Sequence, residues 1–282
     1  MEKQHNRGQD GAGFASVKLD ANPGEKYIHR MRSAGKQPIQ EVFQEINSQI
    51  YKSSSDNSNN KPFLGQLMLG HVRYGTFGKN NLESVHPFLR QNNWKHRNLI
   101  VAGNFNMTNN QELFENLVKL GQHPKDKADG ITVMEKIGHF LDDSVSKIYR
   151  KLKKEGIGKM EASALIEKRL NISKILKKAS KDWDGGYAMG GLIGHGDAFF
   201  LRDPAGIRPA YYFKNNELLV VASERPVIQT VFNVNFDDVK ELDPGKSIII
   251  KKSGELNIEQ VLKPIEKKSC SFERIYFSRG SD

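Results

Sequence analysis

The sequence predicts an α+β fold in which antiparallel sheets pack against layers of helices. Strand-like runs occur early and late in the chain, and the pattern between them, from residue 129 to about residue 183, is almost wholly helical. Strands and helices that are grouped along a chain, rather than regularly alternated, are typical of layered α+β folds. The chain shows no internal repeat, and we expect residues 1–282 to form one domain.

In the first third of the chain, the hydrophobic pattern predicts strands before and after one helix. Residues 14–19 and 26–31 alternate between apolar and polar as strands do, whereas "PIQEVFQEINSQI" carries its apolar residues at helical spacing. The serine- and asparagine-rich segment at 52–61 is interpreted as a flexible insertion within the domain, because the strand-like run "FLGQLMLGHVRY" follows it directly.

The middle of the chain changes from a strand to helices. "NLIVAGN" predicts a strand that leads into the helix "TNNQELFENLVKLG", where Thr108 and Gln111 have the spacing of a capping box. The helical block at 129–183 breaks near Gly156. The last hundred residues contain short β-branched or aromatic runs such as "GGYAMGGLIG", "AYYF" and "KSIIIKK", separated by turn residues, and these runs predict further strands.

Composition narrows the class of protein. With 37% hydrophobic and 27% charged residues, the chain has the make-up of a soluble globular protein. No run approaches the roughly 18 apolar residues of a membrane span, and the polar start lacks the apolar centre of a signal peptide. We therefore expect a cytoplasmic protein with no membrane partner.

The net charge of +10 raises the alternative of nucleic-acid binding. Its densest source is "KIYRKLKKEGIGK", where the lysines fall on the solvated side of a predicted helix instead of alternating with a platform of aromatic residues. We therefore expect no nucleic-acid partner.

The single cysteine, Cys270, limits the covalent chemistry of the chain. It excludes a disulfide within the chain and any multi-cysteine zinc or iron–sulfur site held by this chain alone, and it fits a reducing compartment. We expect no metal site and no cofactor in this chain.

Three motifs could carry chemistry. Arg73 in "GHVRYGTFG" ends an apolar strand and could grip a carboxylate through two hydrogen bonds, although a structural ion pair is the commoner role of such an arginine. Asn104 in "AGNFNMTNN" could stabilise an oxyanion, although asparagines at such junctions usually cap or turn. Asp129 in "KADGITV" could accept from an ammonium group or simply cap a helix.

Together these residues describe a pocket for an α-amino acid whose side-chain carbonyl is attacked. The arginine suits the carboxylate, the aspartate suits the ammonium, and the asparagine suits the developing oxyanion. The set contains no attacking group.

Several segments, in order and spacing, resemble the glutaminase domain of the amidophosphoribosyltransferase family, a group of N-terminal-nucleophile (class II) glutamine amidotransferases. The segments that carry the resemblance are "QHNRGQDGAG", "GHVRYGTFG", "NFNMTN", "DPAGIRPAYYF", "ASERPVIQTVF", "ELDPGKSIII" and "CSFERIYFSRGSD". The last resembles the join to the family's phosphoribosyltransferase domain.

The resemblance implies a four-layer αββα sandwich of two antiparallel sheets. It also implies an enzyme that takes ammonia from glutamine and delivers it to phosphoribosyl pyrophosphate, forming phosphoribosylamine in the first committed step of purine synthesis. Carried over by position, Arg73 and Thr76 would hold the α-carboxylate of glutamine and Asp129 its ammonium. Asn104 and the backbone N–H of Phe105 would form the oxyanion hole, and Arg7 and Gly8 would wall the pocket.

The resemblance also implies what this chain lacks. The family's nucleophile is an N-terminal cysteine whose own α-amine serves as general base, and it stands on a strand that would precede Met1. We therefore expect the first strand, the nucleophile and the phosphoribosyltransferase domain to be absent, together with the Mg²⁺ site expected only for that domain. Cys270 is not expected to replace the nucleophile, because its motif lies at the far end of the domain.

The chain departs from the family's pattern at two positions, with Phe105 in place of the usual glycine and Gly130-Ile131 in place of a hydroxyl residue and a glutamate. On this interpretation the chain is inactive by itself, and the full-length protein is a homo-oligomer. The alternative is a non-catalytic amino-acid-binding or subunit module of the same fold.

Overall fold

The computed structural model describes residues 1–54, 61–75 and 81–277. The strands are β1 (Gly11–Val17), β2 (Ile28–Ser33), β3 (Leu67–Arg73), β4 (Phe88–Arg90), β5 (Leu99–Met107), β6 (Gly185–Ile193), β7 (Ala198–Arg202), β8 (Tyr211–Lys214), β9 (Leu219–Ala222), β10 (Lys240–Glu241), β11 (Lys246–Ile250) and β12 (Leu256–Gln260). The helices are α1 (Pro38–Ser54), α2 (Asn110–Lys119), α3 (Asp129–Lys154), α4 (Lys159–Arg169), α5 (Ile172–Ala179), α6 (Arg225–Phe232) and α7 (Ser271–Ile275). Short 3-10 helices lie at Glu2–Arg7, Leu82–Ser84, Lys95–Arg97 and Phe236–Asp238.

Within the described residues the strands form three sheets. One has the order β2-β1-β3, a six-stranded sheet has the order β12-β11-β7-β6-β5-β4, and a third has the order β10-β8-β9. Neighbouring strands are antiparallel in all three. The predicted antiparallel α+β character is therefore confirmed.

Four hydrophobic clusters hold the described sheets and helices together, and one of them packs the β8-β9-β10 sheet against β7 and β11. The largest joins helices α3, α4 and α5 to one face of the six-stranded sheet, with Leu141 and Leu176 among its buried side chains. A second joins the other face of that sheet to the β2-β1-β3 sheet, through residues such as Val17 and Ile100. A third packs α1 on the far side of β1, where Val42 is fully buried.

The sheet formed by β8, β9 and β10 was not predicted. After β7 the chain turns sharply around Asp203, whose buried carboxylate accepts hydrogen bonds from the backbone N–H groups of Ala205, Ile207 and Arg208. The turn separates β8 from the six-stranded sheet, and β8 pairs instead with β9 and β10. A carboxylate that satisfies three backbone donors stabilises such a turn strongly.

The predicted helices exist, with some corrections. Residues 52–54 of the predicted insertion continue α1, and residues 55–60 lie outside the described residues. The helical block at 129–183 divides into α3, α4 and α5, with the expected break at Gly156, whose φ is +78°.

The predicted capping box is wrong. The Thr108 hydroxyl hydrogen-bonds to the carboxylate of Asp184, and Gln111 donates to Glu115 at 2.8 Å. The residue that precedes α2 is Asn109, and its side chain donates to the carbonyl of Asp182 at 2.8 Å. Long-range partners have therefore replaced the local reciprocal pair.

The surface chemistry agrees with the predicted solvated helix. The lysines at the end of α3 are exposed, and Lys147 pairs with Asp143 one turn earlier on the same helix. In the described part of the chain, no helix is long and apolar enough to cross a membrane, and no group of three or more His, Cys, Asp or Glu side chains is arranged to hold a metal ion.

Candidate functional site

The end of β3 brings two of the predicted site residues into contact. Arg73 is the last residue of β3 and is only 8% exposed. Its carbonyl accepts from the N–H of Asp10 at 3.0 Å. A Cβ atom added to Gly8 would lie 2.5 Å from the carbonyl carbon of Arg73. Only a glycine therefore allows the loop after the first 3-10 helix to pass this close to β3.

Asn104 and Phe105 lie inside β5, not at its end as the sequence predicted. They pair with Ala188 and Tyr187 of β6 in an unbroken register. Side chains alternate between the faces of a strand. Ile100 contributes to the core between the two large sheets, so the side chain of Asn104, four residues later, lies on that same face. Phe105 turns its ring to the opposite face, toward the helices.

The backbone N–H of Phe105 lies on the edge of β5 that faces away from β6. The N–H of Gly103 points away from β6, to Nδ1 of His86 at 3.2 Å. N–H groups two residues apart on a strand point to the same edge. The N–H of Phe105 is therefore outside the β5–β6 ladder, where a ligand could accept from it.

The Asn104 side chain contacts Glu273, a residue that sequence reasoning missed. Glu273 of α7 accepts from the side-chain amide of Asn104 at 2.9 Å and from the guanidinium of Arg208 at 2.9 Å, both through Oε1. Its other oxygen accepts from Arg7. The Glu273 side chain is only 4% exposed. It lies in the segment "CSFERIYF", but no local signal connects it with Asn104, which is 169 residues away.

The segment that carries Glu273 is fixed by the N-terminal residues. The guanidinium of Arg7 lies 5.3 Å from the ring centroid of Phe277, and Asn6 donates to the Phe277 carbonyl at 3.1 Å. The Phe277 ring also meets the ring of Tyr74 edge-on, with centroids 5.6 Å apart. Arg7 therefore contacts the C-terminal segment beside Asn104, and its predicted place in the wall of a glutamine pocket stays a prediction.

Asp129 begins α3, as the sequence predicted for a residue near a helix start. Its carboxylate accepts from the N–H of Gly130 at 2.8 Å. A Cβ atom added to Gly130 would lie 3.4 Å from the ring of Phe105 and 3.3 Å from Nε2 of His86. Asp129 is thus close to the Phe105 end of the site. Thr76, the other predicted substrate residue, lies outside the described residues.

Two histidines lie beside β5, near Phe105. The rings of His71 and His86 are stacked with centroids 4.3 Å apart, and the His86 ring is 5.7 Å from that of Phe105. Burial, together with the positive charge of Arg73, lowers the pKa of His71 to about 4 and holds the pKa of His86 well below its ordinary value of 6.5. A neutral His86 can accept from Gly103, so at pH 7 it supports the strand that carries Asn104.

Cys270 lies closer to the site than its sequence position predicts. It lines a cavity of about 350 Å³ together with Arg7 and Glu273, because α7 folds back onto the N-terminal residues. That Cys270 does not replace the nucleophile stays a prediction. Asn104 and Arg73 are not among the residues that line this cavity.

The chain is similar in sequence to amidophosphoribosyltransferases. No protein-family model matches the chain. The amidophosphoribosyltransferase of Archaeoglobus fulgidus is 28% identical over 277 residues, which cover 98% of this chain and 49% of that protein. The Escherichia coli amidophosphoribosyltransferase is 29% identical over 282 residues, covering 98% of this chain and 47% of the relative. The chain is homologous to amidophosphoribosyltransferases. It spans about half the length of these relatives.

Solved structures show the same likeness of fold. The glutamine phosphoribosylpyrophosphate amidotransferase of Bacillus subtilis, complexed with ADP and GMP, matches with a TM-score of 0.63 and 25% identity over 98% of this chain and 48% of that chain. A structure described as the allosteric regulatory enzyme of purine biosynthesis matches with a TM-score of 0.67 and 24% identity, over the same shares of the two chains. The mixed fold with several antiparallel sheets is therefore similar to that of amidophosphoribosyltransferases.

Proposed function

We propose that this chain is the glutaminase part of an amidophosphoribosyltransferase-type enzyme, which supplies ammonia from glutamine for transfer to phosphoribosyl pyrophosphate. The observation that carries the proposal is the pair of donors on β5. The Asn104 side-chain amide lies on the face of β5 that is turned toward the β2-β1-β3 sheet, and the Phe105 N–H points to the edge of β5 away from β6. Two such donors suit the oxyanion that forms when the side-chain amide of glutamine is attacked.

The other predicted residues would bind the ends of glutamine. Arg73 would hold the α-carboxylate, with Thr76 beside it, and Asp129 would hold the α-ammonium. Gly8 lets the N-terminal loop close against β3, and Arg7 borders the pocket. Their proximity to β5 supports these roles: Asp129 adjoins Gly130, which lies beside Phe105, and the charge of Arg73 acts on His86.

The chemical step would proceed through a thioester. A thiol gives its proton to a general base and attacks the side-chain carbonyl carbon of glutamine, and the Asn104 and Phe105 donors stabilise the oxyanion. The base then returns the proton to the amide nitrogen, and ammonia leaves as the C–N bond breaks. Water then hydrolyses the thioester to glutamate and restores the thiol. In the family that this chain resembles, the thiol is an N-terminal cysteine with its own α-amine as base. The only cysteine of these 282 residues is Cys270.

We further assign residues 1–282 to one glutaminase domain with the four-layer αββα arrangement of N-terminal-nucleophile enzymes. The three successive core clusters support this assignment, since each joins one pair of adjacent layers. The β8-β9-β10 sheet would be an addition at the margin of the sandwich.

A non-catalytic amino-acid-binding module is the second candidate. It is favoured by one observation: Cys270, the chain's only thiol, lines a cavity that does not include Asn104. Such a module would still bind glutamine through Arg73 and Asp129, so binding alone does not separate the two candidates, whereas ammonia release by a form extended to an N-terminal cysteine does.

Titration of the chain with glutamine, followed by calorimetry and by amide NMR, tests the proposal. We expect saturable binding of L-glutamine and weaker binding of D-glutamine, because the carboxylate and ammonium must meet Arg73 and Asp129 at the same time. No saturable binding of L-glutamine at concentrations approaching its solubility would contradict both candidates.

A further inference from the structure

Glu273 lies at the centre of a buried, charge-balanced cluster. Arg7 pairs with Glu273 and, at 3.5 Å, with Glu224, and Arg208 pairs with Glu273 at 2.9 Å. The side chains of Glu224 and Glu273 are 2% and 4% exposed. Two guanidinium groups therefore balance two carboxylates, as buried charges require.

The cluster touches the proposed oxyanion hole at one atom. Oε1 of Glu273 accepts from Nδ2 of Asn104 at 2.9 Å. Within the described part of the chain, this is the recorded hydrogen bond of the Asn104 side chain. A structural role for the cluster alone, tying α7 to the N-terminal residues, would not require the bond to Asn104.

We propose that Glu273 is a positioning residue, which fixes the side-chain amide of Asn104 with Nδ2 turned toward the reacting carbonyl. The inference rests on the proposed function. The carbonyl oxygen and the NH₂ group of an asparagine are nearly equal in size, so packing alone scarcely distinguishes the two orientations. A stabiliser of an oxyanion must present N–H, since a carbonyl oxygen there would repel the negative charge.

A carboxylate selects the correct orientation because it only accepts hydrogen bonds. Ionised Glu273, held between Arg7 and Arg208, cannot donate to Oδ1 of Asn104. The amide must therefore turn Nδ2 toward Glu273. One of the two Nδ2 protons then bonds to Glu273, and the second remains for the substrate oxygen.

The arrangement makes the site depend on the end of the described chain. Asn104 lies on β5 of the six-stranded sheet, but its amide is oriented by a residue of α7. Glu273 in turn is held by Arg7 of the N-terminal 3-10 helix and by Arg208 from the turn after β7. Three distant segments must be in place before Asn104 can present its second proton.

NMR of the Asn104 side-chain amide tests the inference without any need for catalysis. The two Nδ2 protons are assigned through their loss in Asn104→Asp. In the unchanged chain we expect one proton to be shifted downfield and slow to exchange with solvent. In Glu273→Ala we expect both protons to take the positions and exchange rates of an exposed amide.

Two further variants control for folding and charge. Glu224→Gln removes the same charge from the same cluster but keeps the bond between Glu273 and Asn104, so the Asn104 protons should stay as in the unchanged chain. The double variant Glu273→Met with Arg208→Met replaces an ion pair by apolar side chains of similar length, a change that buried pairs often tolerate. It should free the Asn104 amide as Glu273→Ala does, and it keeps the test valid if Glu273→Ala does not fold.

Addition of L-glutamine supplies the readout that a merely structural role would not change. We expect glutamine to shift only the Nδ2 proton that is not bonded to Glu273, and we expect this selective shift to be lost in Glu273→Ala and in the double variant. A shift of both protons would mean that glutamine displaces Glu273. An Asn104 spectrum that is unchanged in Glu273→Ala or in the double variant would mean that Glu273 does not orient the amide. Either result overturns the inference.

The outcome also separates this inference from the proposed function. If glutamine perturbs no resonance of the unchanged chain, the proposed function fails, and with it the role of Glu273 toward a substrate. The variants would still report whether Glu273 orients Asn104. If glutamine binds but the amide is indifferent to Glu273, the proposed function stands and the inference alone fails.

Discussion

The side-chain amide of Asn104 donates to the carboxylate of Glu273 at 2.9 Å, across 169 residues of sequence. Asn104 belongs to β5 and Glu273 to α7, and Glu273 also accepts from Arg7 at the end of the N-terminal 3-10 helix. This contact ties the proposed oxyanion hole to both ends of the described chain.

Arg73→Ala is expected to weaken the binding of L-glutamine by about 2–4 kcal/mol, or roughly 30- to 1000-fold in Kd, because a buried arginine would lose its pairing with the α-carboxylate. Calorimetric titration measures the change. Arg97→Ala is the control. Arg97 precedes the first residue of β5, at the other end of that strand from Phe105, and it pairs with Asp142. An unchanged Kd in Arg73→Ala would make Arg73 a structural residue.

Gly8→Ala should destabilise the fold by about 1–3 kcal/mol, the usual cost of forcing atoms into a packed site. The new Cβ would lie 2.5 Å from the carbonyl carbon of Arg73, and backbone cannot move aside as a flexible side chain can. Urea unfolding measures the loss. Gly158→Ala is the matched control, because nothing lies within 4 Å of its added Cβ and its φ is −67°. Equal stability of the two variants would mean that the loop moves freely away from β3.

The 282-residue chain by itself is expected to release ammonia from glutamine at a rate far below that of a working glutaminase. Donors without a nucleophile still accelerate hydrolysis, and a protease stripped of its triad retains roughly 10³–10⁴-fold over water. A form extended ahead of Met1 by a strand with a processed N-terminal cysteine should be much faster in a coupled ammonia assay. Equal rates in both forms, abolished by Cys270→Ser, would place the nucleophile at Cys270 instead.

Acid should destabilise the protein between pH 6.5 and about pH 4. Burial lowers the pKa of His29 and of His96 from 6.5 to about 4, with nearby positive charges acting in the same direction. In this window the unfolded chain binds protons that the folded chain excludes, so the free energy of unfolding falls as the pH falls, and the loss is complete below about pH 4. Each histidine contributes on the order of 2–3 kcal/mol.

Urea unfolding at a series of pH values measures that slope. His96→Asn should make the slope shallower, whereas His5→Asn should leave it unchanged, because His5 is exposed. A stability that is constant from pH 6.5 to pH 4 would contradict the lowered pKa values.

The sequence by itself predicted most of the local elements and nominated three polar residues of the candidate site. Periodicity predicted α1, α2 and the helical block, because burial of one helix face imposes spacing that needs no knowledge of the partner. It also predicted β1, β3 and β5 with shifted ends. Arg73, Asn104 and Asp129 were proposed because each stands where an element begins or approaches its end, in a short segment that mixes polar and glycine residues.

Only the tertiary structure decided how these residues are supported. The third sheet depends on Asp203, whose carboxylate accepts from three backbone N–H groups. Thr108 hydrogen-bonds to Asp184 instead of capping its own helix. Glu273 reaches Asn104, and Cys270 comes beside Arg7, because α7 folds back onto the N-terminal residues. Periodicity reports which face of an element is buried, but it carries no information about which distant segment covers that face, since the pairing is set by packing and by the need of buried charges for partners.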